Sequence, residues 1–278
     1  MIFNRILDYI DLMLSTENFY GKILVLKGIG RVVVGKFTGR GGFFYLEEPA
    51  TIRKDGLFIS VPKDDASIVS VEFDSRNNDI LKSVLSRLKS SNRKYFFDIG
   101  ANIGSISLWT SYLVKDKTTV AIEPIPWLAA SLKQSKQRNK LENLIIVNSA
   151  ISTQSKLELE IPRSGNTYFT TVASAVGRYD KIPGKFLTHE MLSVPVIGLD
   201  TLIKKMGLSP KEIALIKIDV EGAEADALLS GRGSLKEGRP AVIFEVWSNE
   251  KFREVKAVLD EIGYTNYEHL GEYDYVAT

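Results

Sequence analysis

Tyr95-Phe96-Phe97-Asp98-Ile99-Gly100-Ala101-Asn102-Ile103-Gly104-Ser105-Ile106-Ser107-Leu108 changes hydrophobic period at one point. Tyr95, Phe96 and Phe97 form the short apolar run of a strand buried on both faces. From Ile103 onward Ile103, Ile106, Leu108 and Trp109 approach helical spacing, which puts a turn at Asp98 to Asn102. The stretch is therefore a strand, a glycine turn and a helix start.

In such a unit the glycines let backbone approach a ligand, and the unpaired N–H groups of the first helical turn face it. The phosphate cradle of dinucleotide enzymes needs glycine at its first, third and sixth positions. Those positions are Gly100, Asn102 and Ser105, so two of the three glycines are missing. Asp98 points the same way, because a carboxylate repels a pyrophosphate and favours a cationic ligand. S-adenosylmethionine carries an ammonium and a sulfonium and no phosphate. Thr118-Thr-Val-Ala-Ile-Glu123 reads as a second strand ending in an acid, 25 positions after Asp98. That is near the roughly 20-residue spacing at which a carboxylate meets ribose hydroxyls.

Three ordered motifs, Phe-Asp-Ile-Gly-Ala-Asn-Ile-Gly (97–104), Ile-Glu-Pro-Ile-Pro (122–126) and Ile-Lys-Ile-Asp-Val-Glu-Gly-Ala-Glu (216–224), resemble those of the FkbM-type S-adenosylmethionine-dependent methyltransferases. The resemblance runs from about Tyr95 to Trp247. It implies a Rossmann-like class I methyltransferase fold and transfer of methyl to a hydroxyl of a small molecule or sugar. Within the matched motifs it draws Ala101, Gly104 and Pro124 toward the cofactor beside Asp98, Gly100, Asn102 and Glu123. Asn148-Ser149-Ala150 is similar to the family's adenine-side segment, which brings in Ser149 and Ala150.

Composition narrows the alternatives. With 44% hydrophobic and 25% charged residues the chain can bury a proper core. A net charge of +2, from 36 basic and 34 acidic residues, gives no field that implies duplex nucleic acid as a partner. The absence of cysteine excludes disulfides and thiolate metal sites and fits a reducing, cytoplasmic compartment. His189 and His269 are the only histidines, so a histidine-based zinc site is not expected. Residues Met1 to Leu14 are amphipathic, with Arg5, Asp8 and Asp11 interrupting the apolar positions, so neither a transmembrane span nor a signal peptide is expected there. A helix packing on its own domain is expected, with a membrane-surface or homodimer role as the alternative.

Two units are expected, an N-terminal helix and antiparallel β cap over 1–90 and a cofactor-binding domain over 91–278. The cap comprises strands Lys22 to Lys27, Arg31 to Phe37, Phe43 to Leu46, Leu57 to Val61 and Ile68 to Phe73. From Tyr95 strands alternate with helices, which implies a mostly parallel sheet covered on both faces. The strands are expected at 95–99, 118–123, 144–149, 214–219 and 240–247, with two more after Tyr264. A polar loop, about Arg163 to Met191, is expected to wall the acceptor pocket with the cap.

Ligands in open α/β sheets bind beyond the carboxyl ends of the strands. Asp98, Glu123, Ser149, Asp219 and Glu245 stand at those ends. Asn102 suits either a left-handed turn or a bond to the methionine end of the cofactor. Glu123 suits the ribose, or a cap on the helix after Pro124. Asp219 is a cofactor-side and catalytic candidate with Glu221, against the alternative that both simply favour a helix N-terminus. Glu245, also a catalytic candidate, needs a basic side chain, a metal or the acceptor beside it. Lys217 alternates with Ile216 and Ile218 and is a candidate partner for these acids. No metal is assigned, although Mg²⁺ held by the carboxylates is the alternative to direct orientation of an acceptor hydroxyl. His189 is a weaker candidate base. The rival functions are a nicotinamide oxidoreductase and a non-catalytic binding or scaffold protein on the same fold.

Overall fold

The computed structural model describes residues 13, 14, 22, 23, 25–27, 29, 46–54, 56–66, 79–164, 167, 168, 170, 173, 188–271 and 273–278. The expected strands Arg31 to Phe37 and Ile68 to Phe73, and most of the expected helix Met1 to Leu14, lie outside them. Within the expected strand Lys22 to Lys27, residues 22, 23 and 25–27 are helical. A short apolar run such as Ile23 to Leu26 fits either period, and here the helix prevails, with Val25 buried and Leu26 exposed.

The first strands, β1 (Ala50–Lys54) and β2 (Leu57–Val61), form an antiparallel hairpin with Lys54 opposite Leu57. Its β2 edge lies on the helix Pro126–Arg138. The Phe58 N–H donates to Asn139 Oδ1 at 2.8 Å and the Ser60 N–H to Ser135 Oγ at 2.8 Å. Helix side chains thus satisfy an exposed strand edge that would otherwise present unpaired donors. Helix α1 (Asp79–Ser90) follows, burying Leu81, Val84 and Leu88 at helical spacing.

The central sheet is built from β3 (Tyr95–Ile99), β4 (Thr118–Ile122), β5 (Leu144–Val147), β11 (Ile213–Ile218), β12 (Ala241–Glu245), β13 (Tyr267–His269) and β14 (Asp274–Ala277). Its order is β13-β14-β12-β11-β3-β4-β5. The run from β12 to β5 is parallel, and β14 is antiparallel to both of its neighbours. Because strand residues alternate between faces, Phe97, Ile99, Ile216, Ile218 and Phe244 feed one core while Phe96, Ala121, Leu215 and Ile243 feed the other. Helices α2 (Ser105–Leu113) and α3 (Pro126–Arg138) join the second core, and α4 (Leu199–Lys205), α5 (Glu224–Leu229), α6 (Arg232–Gly238) and α7 (Asn249–Ile262) the first.

A smaller sheet hangs over one end, with β7 (Leu157–Ser164) between β8 (Thr167–Tyr168) and β9 (Thr188–Val194). Part of the expected polar loop from Arg163 to Met191 is therefore strand. Inward Glu190 and Leu192 alternate with exposed His189, Met191 and Ser193, so β9 has one half-buried face. Glu190 is fixed there by Arg163 at 2.6 Å and by the Tyr168 hydroxyl at 3.2 Å. The short strands β6 (Ala150–Ile151) and β10 (Val196–Ile197) pair in parallel beside it.

Candidate active site

The parallel register sets the chemistry of the sheet's carboxyl edge. Asp98 on β3 is the register partner of Lys217 on β11, so the two side chains share a face. Glu245, at the end of β12, is the register partner of Asp274 on β14. Asp219 follows β11 and is anchored by its backbone N–H to the Ile99 carbonyl at 3.0 Å. Lys217 is buried and holds Asp219 Oδ2 at 3.1 Å, while Asp98 Oδ1 lies 3.7 Å away.

Asp98 is itself buried, and its Oδ2 accepts a 2.5 Å bond from the Ser107 hydroxyl. Its Oδ1 has no hydrogen-bond partner, and the residue borders the cavity described below. Gly100 has φ +82°, and a Cβ there would stand 1.8 Å from the Asp219 carbonyl oxygen. Only glycine permits β3 and β11 to meet so closely at their tips.

Asn102 takes the left-handed conformation, φ +54°, and its Oδ1 accepts the Ile103 N–H at 2.7 Å. The Asn102 N–H donates to Glu123 Oε2 at 2.8 Å, and the Ile125 N–H to Glu123 Oε1 at 2.8 Å. Glu123 thus clasps the turns after β3 and β4 together, and two further lone pairs of its carboxylate remain. Asn148 completes the clasp by donating to the Glu123 and Pro124 carbonyls at 2.8 and 2.9 Å.

These groups line a cavity of about 340 Å³. Asp98, Gly100, Ala101, Asn102, Glu123, Pro124, Ser149, Ala150, Asp219, Glu221 and Glu245 all border it. Gly104 does not border it. A Cβ at Gly104 would lie 2.1 Å from Leu132 Cδ1, so this glycine lets α2 pack on α3 rather than approach a ligand. His189 is likewise absent from the lining and faces Glu160 across β7 and β9 at 2.9 Å.

The alternative reading of Asp219 as a helix cap does not match the turn that follows it. Helix α5 begins only at Glu224, and the turn before it holds two left-handed residues, Glu221 and Gly222. Buried Glu224 stabilises that turn by accepting the Gly222 and Val220 N–H groups at 2.9 and 3.2 Å. Asp219 is left facing Lys217 and the cavity.

Asp274 and Thr170 are polar cavity residues that escape a reading of the sequence. Asp274 opens the last strand with no neighbouring motif, and only the antiparallel register brings it beside Glu245. Thr170 borders the cavity while donating to buried Asp65 at 2.6 Å. Asp65 also accepts Trp127 Nε1–H at 2.7 Å, which ties the N-terminal unit to α3 and to the segment over the site.

Burial raises the Asp98 carboxyl, partly offset by Lys217 and Ser107. Burial pushes Glu123 up to about 7 despite its two backbone donors. Glu245 is pushed up to about 10 by burial and then by the Asp219 charge, so it keeps its proton and hydrogen-bonds Asp219. Burial opposes ionisation of Asp219, but Lys217 and Glu245 hold its carboxyl below the ordinary range. Burial would likewise lower Lys217, yet Asp219 and Asp98 raise it. Asp274 is raised to about 6 by burial and by Asp219. Among the described residues no group of three or more His, Asp or Glu side chains is arranged to hold a metal ion.

A stability trend follows. Above pH 5 the folded protein still holds protons that the unfolded chain has released, on Asp274 up to about pH 6, on Glu123 up to about pH 7 and on Glu245 throughout the range to pH 8. Lys217 and Asp219 stay charged in both states and add no slope there. Stability therefore falls as pH rises. Thermal unfolding of the ligand-free protein should show a higher Tm at pH 5.5 than at pH 8; a flat or rising profile would contradict these environments.

Comparison with known families gives a match to the methyltransferase FkbM domain over residues 98–266, more than half of the chain. The chain belongs to the FkbM methyltransferase family. Its Rossmann-like class I methyltransferase fold is the one the three motifs imply, with the antiparallel hairpin of β1 and β2 as a sheet of its own besides the mostly parallel one. Similar solved structures include an FkbM methyltransferase from Methylobacillus flagellatus KT, 14% identical, covering 99% of this chain and 59% of that one at TM-score 0.47. A precorrin-6y C5,15-methyltransferase from Geobacter metallireducens GS-15 is 12% identical, covering 73% and 89% at TM-score 0.46. TYW2 of M. jannaschii in complex with AdoMet is 11% identical, covering 85% and 87% at TM-score 0.43. These likenesses carry no argument about substrate. No curated protein matches the sequence. Among the described residues no helix is long and apolar enough to cross a membrane.

Proposed function

We propose that this FkbM-family chain is a cytoplasmic S-adenosylmethionine-dependent O-methyltransferase acting on a hydroxyl of a small-molecule or carbohydrate acceptor. The observation that supports it best is the cavity at the strand tips, bordered both by Glu123 and by buried Asp98, whose Oδ1 accepts no hydrogen bond and has only Lys217 near it at 3.7 Å. At 3.7 Å Lys217 offsets the charge of Asp98 without a hydrogen bond to Oδ1, and a ligand ammonium would supply that bond. The residues present therefore fit S-adenosylmethionine. Asp98, Gly100 and Asn102 would hold its methionine end, Glu123 its ribose hydroxyls, and Ser149 and Ala150 its adenine side. A pyrophosphate would meet the same carboxylates unfavourably, which disfavours a nicotinamide cofactor.

When bound, S-adenosylmethionine would supply a sulfonium methyl open to in-line attack by an acceptor oxygen, the new O–C bond forming as the C–S bond breaks and S-adenosylhomocysteine leaves. Asp219 orients the acceptor hydroxyl and takes its proton late, as the new bond makes that proton acidic. Its depressed basicity suffices for a late transfer, and positioning supplies much of the rate. Neutral Glu245 keeps Asp219 ionised by donating to it, and Glu221 borders the same cavity.

The test is transfer of labelled methyl to a panel of hydroxylated small molecules and glycans. Activity should survive excess EDTA and fall about 10²-fold or more in Asp219→Asn, the lower range for a lost general base. Loss with EDTA would establish a metal requirement. Full activity in Asp219→Asn would remove Asp219 from the mechanism.

A further inference from the structure

Part of the cavity wall comes from residues distant in sequence from the strand tips. Thr170 and Ala173 border the cavity with Leu157 and Leu159 of β7. The Ala173 N–H donates to the Thr170 carbonyl at 3.2 Å, so the two share a turn. That turn is held from outside the cavity by Asp65, which is fully buried and does not itself border the cavity. Asp65 Oδ1 accepts the Thr170 hydroxyl at 2.6 Å, and its Oδ2 accepts the Trp127 Nε1–H at 2.7 Å. Trp127 stands in the first turn of α3, just after Ile125, whose N–H is held by Glu123. Its ring also packs on Tyr168 with centroids 5.1 Å apart, and the Tyr168 N–H donates to the Asp64 carbonyl at 2.7 Å. The two walls are therefore joined in series, from Glu123 to the start of α3, from Trp127 to Asp65, and from Asp65 to Thr170.

We propose that Asp65 is a positioning residue of the cofactor pocket, holding the Thr170 turn against bound S-adenosylmethionine so that the N-terminal unit sets how long the cofactor stays. This rests on the cofactor reading above and extends it to a segment that precedes the family match, which begins at residue 98. Burying a carboxyl group merely to fasten two surfaces is costly, because an apolar contact would do so without desolvating a polar group. What the carboxyl group adds is direction, since two short hydrogen bonds fix where the Thr170 turn stands. A wall that closes on a ligand already in place acts on its escape, so loosening it changes dissociation more than association.

The experiment measures S-adenosylhomocysteine binding to the full chain by calorimetry and its dissociation by surface plasmon resonance, with the folding of each variant checked by circular dichroism. Trp127→Phe keeps a ring against Tyr168, removes the N–H and lies outside the cavity lining. It should speed dissociation about tenfold, the scale of one hydrogen bond to a carboxylate, with association little changed. Thr170→Val severs the series at its other end and should act to a similar degree. Because the links are in series, the double variant should be no faster than the faster single one, whereas a direct contact of Thr170 with the cofactor would make the two effects multiply. Ser135→Ala is the control for a merely structural role. It removes the acceptor of the Ser60 N–H, which fastens the β1–β2 hairpin to α3, and should lower Tm while leaving dissociation unchanged. Unchanged dissociation in folded Trp127→Phe or Thr170→Val, multiplied effects in the double variant, or equal acceleration in Ser135→Ala would each overturn the proposal. Failure of the unsubstituted chain to bind S-adenosylhomocysteine would instead strike the cofactor reading.

Discussion

Lys217→Met is expected to lower stability by about 3–5 kcal/mol, the range for removing one partner of a buried ion pair. Lys217 is the counter-charge of two carboxylates, at 3.1 Å from Asp219 and 3.7 Å from Asp98. Methionine fills similar space but leaves those acids unpaired in a buried setting. Asp219, whose carboxyl Lys217 now helps hold below the ordinary range, would then be dominated by burial and rise. The sign follows. A carboxyl raised in the folded state stabilises on protonation, so the deficit against the unsubstituted protein should shrink from pH 8 to pH 5. Urea unfolding at the two pH values measures it. A deficit below about 1 kcal/mol, typical of exposed pairs, would show that the cluster is solvated. A deficit independent of pH would show that it is not electrostatic.

Gly100→Ala should be as damaging by a different route. The left-handed conformation costs a residue with a Cβ about 1–2 kcal/mol, and over-packing a tight site about 1–3 kcal/mol, or roughly 2–5 kcal/mol together. The obstructing atom is the Asp219 backbone oxygen, 1.8 Å from the new carbon, so no rotamer change relieves it. The tips of β3 and β11 must separate, which strains the Asp219 N–H bond to Ile99 and the turn bordering the cavity. Urea unfolding should register the loss, and calorimetry with S-adenosylhomocysteine should show binding weakened beyond detection. Wild-type stability and affinity in Gly100→Ala would contradict the close approach.

Much of the site can be read from the chain because strand tips declare themselves. The apolar run Tyr95 to Phe97 stops at Asp98, Thr118 to Ile122 stops at Glu123, and the alternation around Lys217 puts it opposite Ile216 and Ile218. Each of these is a local pattern. What escapes is set by residues distant in sequence. Helix α6 looks like a glycine-broken loop, Gly231-Arg-Gly-Ser-Leu-Lys-Glu-Gly238, yet its first turn is capped by Asp200, which accepts the Gly233 and Ser234 N–H groups at 3.0 and 2.7 Å. Asp274 enters the site through a strand register that no local pattern reports. Gly104 shares a motif with Gly100 but meets Leu132, because the side a glycine opens depends on the packing around it. Asp219 precedes a helix and so invites reading as its cap, while Glu224 bonds the turn's backbone instead.

The central claim is that the carboxyl edge of β3, β4 and β11 is built for S-adenosylmethionine. Titration calorimetry with the full chain tests it most directly, using S-adenosylmethionine and NAD in parallel and repeating the first with Glu123→Ala. The account predicts that S-adenosylmethionine binds, that NAD does not, and that Glu123→Ala weakens binding by roughly 1–3 kcal/mol, the scale of a charged hydrogen-bond partner. Binding of NAD but not S-adenosylmethionine, or unchanged affinity in a folded Glu123→Ala protein, would contradict it.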